Sequence, residues 1–233
     1  MIFHIINHTG AGQSDGGTLT GARHGISEER KTMTLENKLC RVSICSEEEI
    51  PAEESDTAGK YDCIYNPDAY TESDFYNVFS ISVSVGKRSC SMALIGDGNS
   101  CDTNCAVLDG TELTVLQGWD VFRFDLETGR IVKHGSVDSL GANFAIFALN
   151  GGFLVYGEID ITMLDRELEP VWSFSGHDIF VSNSGKTAFE IKEDRICLYD
   201  FLDYYYEIDF DGRLIAEVKS RADSKAEGSR PKE

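Results

Sequence analysis

The sequence predicts an all-β protein assembled from a repeated antiparallel unit, and three observations carry that prediction. Phe79-Ser80-Ile81-Ser82-Val83-Ser84-Val85 alternates apolar and polar residues strictly, as a half-buried strand does. Short runs rich in Val, Ile, Phe and Tyr recur between Gly, Asp and Asn turns, with no long amphipathic helix among them. A strand ending in aspartate, a tight turn and a second strand occur three times, with Asp125, Asp165 and Asp209 spaced by 40 and 44 residues.

Taken in order, residues 1–35 read as a flexible N-terminal segment. Residues 7–32 are rich in Gly, Ser and Thr without periodicity, and 27–38 allow at most a short helix. The β domain spans 36–218. Its strand candidates are 40–45, 61–65, 79–85, 89–95, 105–108, 113–117, 119–125, 130–134, 143–149, 152–156, 159–164, 170–174, 178–182, 187–192, 195–199, 204–209 and 213–218. Within it, 46–60 carries Glu47, Glu48, Glu49, Glu53, Glu54 and Asp56, a self-repelling run suited to an exposed loop. Residues 219–233 mix charges with almost no apolar side chains and read as a disordered tail.

The three units are Trp119–Val132, Ile159–Trp172 and Tyr204–Ile215, the last one residue shorter at its turn. Each follows a glycine turn and a strand: Gly110 with Leu113–Leu116, Gly152 with Phe153–Tyr156, and Gly185 with Thr187–Ile191. In each unit the aspartate side chain is expected to accept hydrogen bonds from its own turn. Four strands per 40-odd residues is the spacing of a propeller blade. Phe124-Asp125-Leu126-Glu127-Thr128-Gly129, Asp165 followed by Pro170 and Trp172, and Ser184-Gly185-Lys186 resemble blades of the PQQ-like and WD40-like β-propeller superfamily. The resemblance covers about residues 104–218 and implies a propeller-like array of short antiparallel four-stranded blades. The Gly-His and Trp-Asp blade signatures are missing from their usual places, and Trp119-Asp120 begins a strand instead. Three units fall short of the four or more in a closed ring, so residues 40–103 must add one or two degenerate blades or leave the array open.

Composition narrows the chemistry. Lys and Arg number 21 against 40 Asp and Glu, a net charge of −19 over 233 residues. Such a chain repels nucleic-acid phosphates and anionic lipids, and favours solubility and a basic protein partner. The seven cysteines, Cys40, Cys45, Cys63, Cys90, Cys101, Cys105 and Cys197, are odd in number and make no C-x-x-C pair or zinc spacing with histidine. Several lie in apolar runs, which suits reduced core thiols in a cytoplasmic protein and predicts no structural disulfide. Met1–Ile6 is too short and lacks the basic start of a signal peptide, and no run reaches the length of a membrane span.

Motifs for catalysis are weak. Gly12-Gln13-Ser14-Asp15-Gly16 matches a nucleophile elbow in letters, without the helix that must follow. Asp97–Asn104 concentrates oxygen ligands, but a calcium loop begun at Asp97 would end on Leu108, so a turn is the better reading. His4, His8, His24, His134 and His177 share no short motif with Cys or a carboxylate pair. The sequence therefore nominates no catalytic, cofactor-binding or metal-ligating residue. Its candidate interaction residues are aromatic: Trp119, Tyr204, Tyr205 and Tyr206, with strand alternation sending Tyr204 and Tyr206 to one face and Tyr205 to the other. The expected function is a non-enzymatic cytosolic binding module using an acidic or aromatic face, of the kind an immunity or inhibitor protein offers a basic partner. The alternative is a propeller enzyme or lectin acting on a carbohydrate or other small ligand.

Overall fold

The computed structural model describes residues 32–47, 60–71, 73–97, 101, 104–137, 141–183 and 185–219. Most of the expected N-terminal segment, acidic loop and tail, and the Gly12–Gly16 motif, lie outside these residues. Seventeen strands form four sheets, with no α-helix among the described residues. Sheet I holds β1 (Thr32–Glu36), β2 (Cys40–Glu47), β3 (Cys63–Tyr65), β4 (Asn77–Val85) and β5 (Arg88–Gly96) in the order β1-β2-β4-β5-β3. Sheet II runs β6 (Ala106–Asp109), β7 (Glu112–Gln117), β8 (Asp120–Asp125) and β9 (Arg130–Ser136). Sheet III runs β10 (Asn143–Leu149), β11 (Gly152–Gly157), β12 (Asp160–Leu164) and β13 (Pro170–Ser175). Sheet IV runs β14 (Phe189–Ile191), β15 (Ile196–Tyr199), β16 (Tyr204–Ile208) and β17 (Leu214–Lys219). All neighbours are antiparallel except β3, which adds to β5 in parallel. The protein is an all-β, propeller-like array in which residues 32–97 supply one further sheet.

Three sequence expectations change. Residues 32–36 are a strand, where a flexible segment and a short helix were expected. Met33 and Leu35 alternate with polar residues and pack on the core, and Asn37 closes the hairpin by accepting from the N–H groups of Leu39 (2.8 Å) and Cys40 (3.0 Å). Residues 178–182 are a crossing segment instead of a strand. Its backbone bonds run out to two other elements, Phe180 N–H to Glu158 O (2.6 Å) and Phe201 N–H to Ile179 O (2.8 Å), which seats Phe180 in the core. Residues 187–191 accordingly lead into the first strand of sheet IV, and the turn before its second strand is Lys192–Arg195, closed by Lys192 N–H to Arg195 O (2.8 Å).

The Asp hairpins also align differently. Asp165 pairs with Glu169, and Asp209 with Arg213, each across three residues, whereas Asp125 pairs with Arg130 across four. The Asp125 turn is therefore the longer one. All three aspartates bond their own turns through Oδ1: Asp125 to the N–H of Glu127 (2.8 Å) and Thr128 (3.3 Å), Asp165 to Glu167 (2.8 Å) and Glu169 (3.0 Å), Asp209 to Asp211 (2.9 Å) and Arg213 (2.8 Å). The residue after each turn's bend has positive φ: Gly129, Leu168 and Gly212.

The sheets pack face to face in chain order. Sheets I and II share one core, with Ile44, Ile81 and Leu94 meeting Val115, Phe122 and Phe124. Sheets II and III share a second, through Leu116, Val121, Phe153 and Val155, and sheets III and IV a third, through Leu154, Ile161, Leu198 and Tyr206. The middle strands β7, β8, β11 and β12 are consequently buried on both faces, and they read as apolar runs without clean alternation. No such core joins sheet IV back to sheet I among the described residues.

Each Asp hairpin docks on the sheet before it. Tyr65 of sheet I donates to Gly129 O, and Arg123 of sheet II to Arg166 O. Trp172 of sheet III donates to Phe210 O at 3.2 Å. Gly212 lies so close to the Trp172 ring that a Cβ there would fall 2.6 Å from it.

Candidate functional site

The array ends in two unlike faces. On sheet I the outward face carries Ser43, Ser80, Ser82, Ser84, Ser89 and Ser91, in cross-strand rows such as Ser43–Ser82–Ser91. Tyr61, Tyr70 and Tyr76 cover an apolar corner, Val78, Ala93 and Ile95, and Ile64, opposite Ala93, is exposed. Polar outer faces of this kind cap repeat arrays against water.

Sheet IV ends differently. The register places Glu190, Cys197, Glu207 and Ala216 in one outward row, and Tyr199, Tyr205 and Val218 in the next. In sheet III the same positions are Phe147, Leu154, Met163 and Trp172, then Tyr156, Ile161 and Phe174. There they pack into the core shared with sheet IV. Sheet IV thus places side chains at the register where sheet III receives a following sheet, with Glu190 and Glu207 standing where sheet III has Phe147 and Met163, and with no sheet upon it among the described residues.

Side chains on this face are tied to one another. The Tyr199 and Tyr205 rings lie 4.8 Å apart, with Lys186 Nζ 4.7 Å over the Tyr199 ring. Tyr205 donates to Glu207 Oε1 at 2.7 Å and approaches the Cys197 thiol at 3.2 Å. Burial, then the bonds to Cys197 and Glu207, push the Tyr205 phenol well above its ordinary range. Glu207 also accepts from Arg195 at 2.6 Å. The Tyr205 bond first, and Arg195 second, hold its carboxyl below the ordinary value. The turn after Tyr199 exposes Phe201 (44%) and Leu202 (49%), and Val218 on β17 is 57% exposed.

Of the four aromatic candidates, only Tyr205 belongs to this face. Tyr206 turns inward and is 2% exposed, so it leaves the interaction set. Its hydroxyl donates to the buried Asp200 (2.7 Å) and accepts from the His177 N–H (2.9 Å). Burial, then the bond to Asp200, raises its pKa. Tyr204 shares that inward side near its edge, 4.4 Å from the His177 ring and under Lys219 Nζ at 4.7 Å. Trp119 is 47% exposed, but it sits in the β7–β8 turn of sheet II, donating to Gly141 O at 3.0 Å. Sequence reasoning missed Tyr199 and Arg195. Aligning Tyr199 with Tyr156 finds the first; Arg195 emerges only from its cross-strand pairing with Glu207.

A shallow groove of about 430 Å³ lies between sheets III and IV, lined by Asn150, Met163, Asp165, Trp172, Asp211 and Arg213. Its charged groups are engaged: Asp165 Oδ1 holds its turn, and Asp211 pairs with Arg213 at 2.8 Å. His134 and His177 each pair with one carboxylate, Asp120 and Glu217, both at 2.9 Å. Among the described residues, no group of three or more His, Cys, Asp or Glu could hold a metal ion. No described helix is long and apolar enough to cross a membrane. The cysteines are thiols, with Cys40, Cys101, Cys105 and Cys197 buried.

No family model matches the chain, and no curated protein matches it. Solved structures similar to it include BamB from Moraxella catarrhalis, at 14% identity and a TM-score of 0.40, over 65% of this chain and 49% of that one. The Pan2 WD40 domain of Neurospora crassa matches at 14% identity and TM-score 0.39, over 51% and 38% of the two chains. Chaetomium thermophilum Raptor matches at 14% and 0.43, over 69% and 16%. The chain spans about half the length of BamB.

Proposed function

We propose that the protein is a non-enzymatic, cytosolic protein-interaction module whose docking surface is the outward face of sheet IV. The observation that carries this is register: Tyr199, Tyr205 and Val218 occupy positions that the next sheet seals in sheet III. A partner placing side chains there removes from water a patch whose apolar residues are already ordered. The chain's charge of −19 adds long-range attraction for a basic partner. A saccharide-binding reading would draw on the Trp172 groove, where the carboxylates already hold turn N–H groups and Arg213. The test is affinity capture from native cytosol with the wild type and with Val218→Lys, read by quantitative mass spectrometry. A partner lost with Val218→Lys, and retained with Ser84→Lys on the sheet I face, is the expected result. Equal recovery on all three baits would refute the assignment of the face.

A further inference from the structure

We infer that the turn end of sheet I is a second docking surface, and that it takes a short acidic segment of a partner protein. The surface is separate from the sheet IV face and asks for the opposite charge in what it binds. Three observations support it. One is unpaired positive charge in an acidic chain. Among the described residues most cations stand within ion-pair distance of a carboxylate, as Lys60, Arg123, Arg166, Lys186 and Arg195 do. Lys38, Lys87 and Arg88 are exposed and have no such partner, and Arg41 reaches Glu36 only at 3.9 Å. Arg130 and Lys219 are also without one, but they stand singly, the second over the Tyr204 ring at 4.7 Å.

The next observation is register. Cys40 stands opposite Val85, and Val85 opposite Arg88, so the turn at 37–39 and the turn at 86–87 lie side by side. Arg41 follows in the next row, opposite Ser84. Lys38, Arg41, Lys87 and Arg88 against Glu36 sum to +3 (4 − 1) in a chain of −19. On the flanking elements, Asp62 accepts from the Ser91 N–H at 2.7 Å and Asp109 pairs with Arg166. The last observation is a fixed apolar anchor. Leu39 is 57% exposed in its turn. Asn37 holds that turn by accepting from the N–H groups of Leu39 and Cys40, and ties it to sheet II by donating to Gly110 O at 2.8 Å. An ordered apolar side chain beside unpaired cations offers contact area and charge together, with little left to immobilise on this side.

Size and charge define the occupant. The patch crosses β2, β4 and β5, two spacings of about 4.8 Å, so it is about 10 Å wide. An extended chain at about 3.4 Å per residue crosses it in about three or four residues. At physiological salt the Debye length of about 8 Å confines the attraction to that area. A nucleic acid or an anionic bilayer extends well past it, onto the acidic remainder of the chain. A short run of Asp and Glu with one leucine set against Leu39 fits within it. Exposed ion pairs are individually weak, so an isolated peptide of this kind binds at about 0.1–1 mM.

The experiment is fluorescence anisotropy of labelled synthetic peptides titrated with the full chain under reducing conditions, at about 0.15 M NaCl. The probe is a short peptide of Asp and Glu around one leucine. Its controls are the Lys counterpart, the Asn/Gln counterpart and a single-stranded DNA of matching charge. Saturable binding of the acidic peptide alone is expected, weakened several-fold at about 0.5 M NaCl. Lys87→Glu combined with Arg88→Glu should weaken it about ten-fold or more, Leu39→Ser about three-fold, and Lys133→Glu, on sheet II, not at all. Circular dichroism confirms that the variants fold. No saturable binding of the acidic peptide, equal binding by all the variants, or tighter binding of the DNA would each overturn the inference. The capture experiment reads the sheet IV face separately, so either surface can fail without the other.

Discussion

Gly129 and Gly212 invite a paired perturbation, because they share a backbone state and differ in surroundings. Both close Asp hairpins with positive φ, 67° and 78°. A Cβ at Gly129 meets nothing within 4 Å, whereas at Gly212 it falls 2.6 Å from Trp172. Gly129→Ala should therefore cost only the left-handed backbone penalty, about 1–2 kcal/mol. Gly212→Ala adds overpacking against a ring that Phe210 O holds through Trp172 Nε1, about 1–3 kcal/mol more. With an m-value of about 2 kcal/mol/M, the difference is a shift of about 0.5–1.5 M in urea midpoint between the variants. Trp172 fluorescence and circular dichroism should both report it, and Trp172→Ala in the Gly212→Ala background should recover the overpacking part relative to Trp172→Ala alone. Equal midpoints for the two alanine variants would refute the docking of each hairpin on the preceding sheet as a source of stability.

Alanine at Asp125, Asp165 or Asp209 removes two turn hydrogen bonds and should cost about 0.5–2 kcal/mol each, measured by urea unfolding, against near-neutral Glu127→Ala and Glu167→Ala. Tyr206→Phe leaves Asp200 Oδ2 buried without a donor, while Oδ1 keeps the Tyr204 N–H, and takes the acceptor from the His177 N–H, so a loss of about 1–3 kcal/mol in the same assay is expected. Glu207 binds its proton less readily folded than unfolded, so its contribution is complete above about pH 4.5 and disappears as pH falls through the lowered folded value. Glu207→Gln should accordingly flatten the stability–pH curve below about pH 4.5, as seen by urea titration from pH 3 to 7.

What the sequence determined by itself was mostly local. Alternation in Phe79–Val85 and apolar runs between turn residues placed nearly every strand, because a pleated strand's period is written in adjacent residues. The recurring aspartates marked the hairpins for the same reason, since each bonds N–H groups two to four residues ahead. Tertiary structure decided what depends on distant partners. Thr32–Glu36 became a strand because β2 lay ready to pair with it. Residues 178–182 lost their strand because their backbone groups were taken by Glu158 and Phe201. Three consecutive tyrosines could be divided between two faces from sequence, but not told which face was sealed. That depended on where the stacking of sheets stops: Tyr206 lies against sheet III, and Tyr205 faces outward where no described sheet follows.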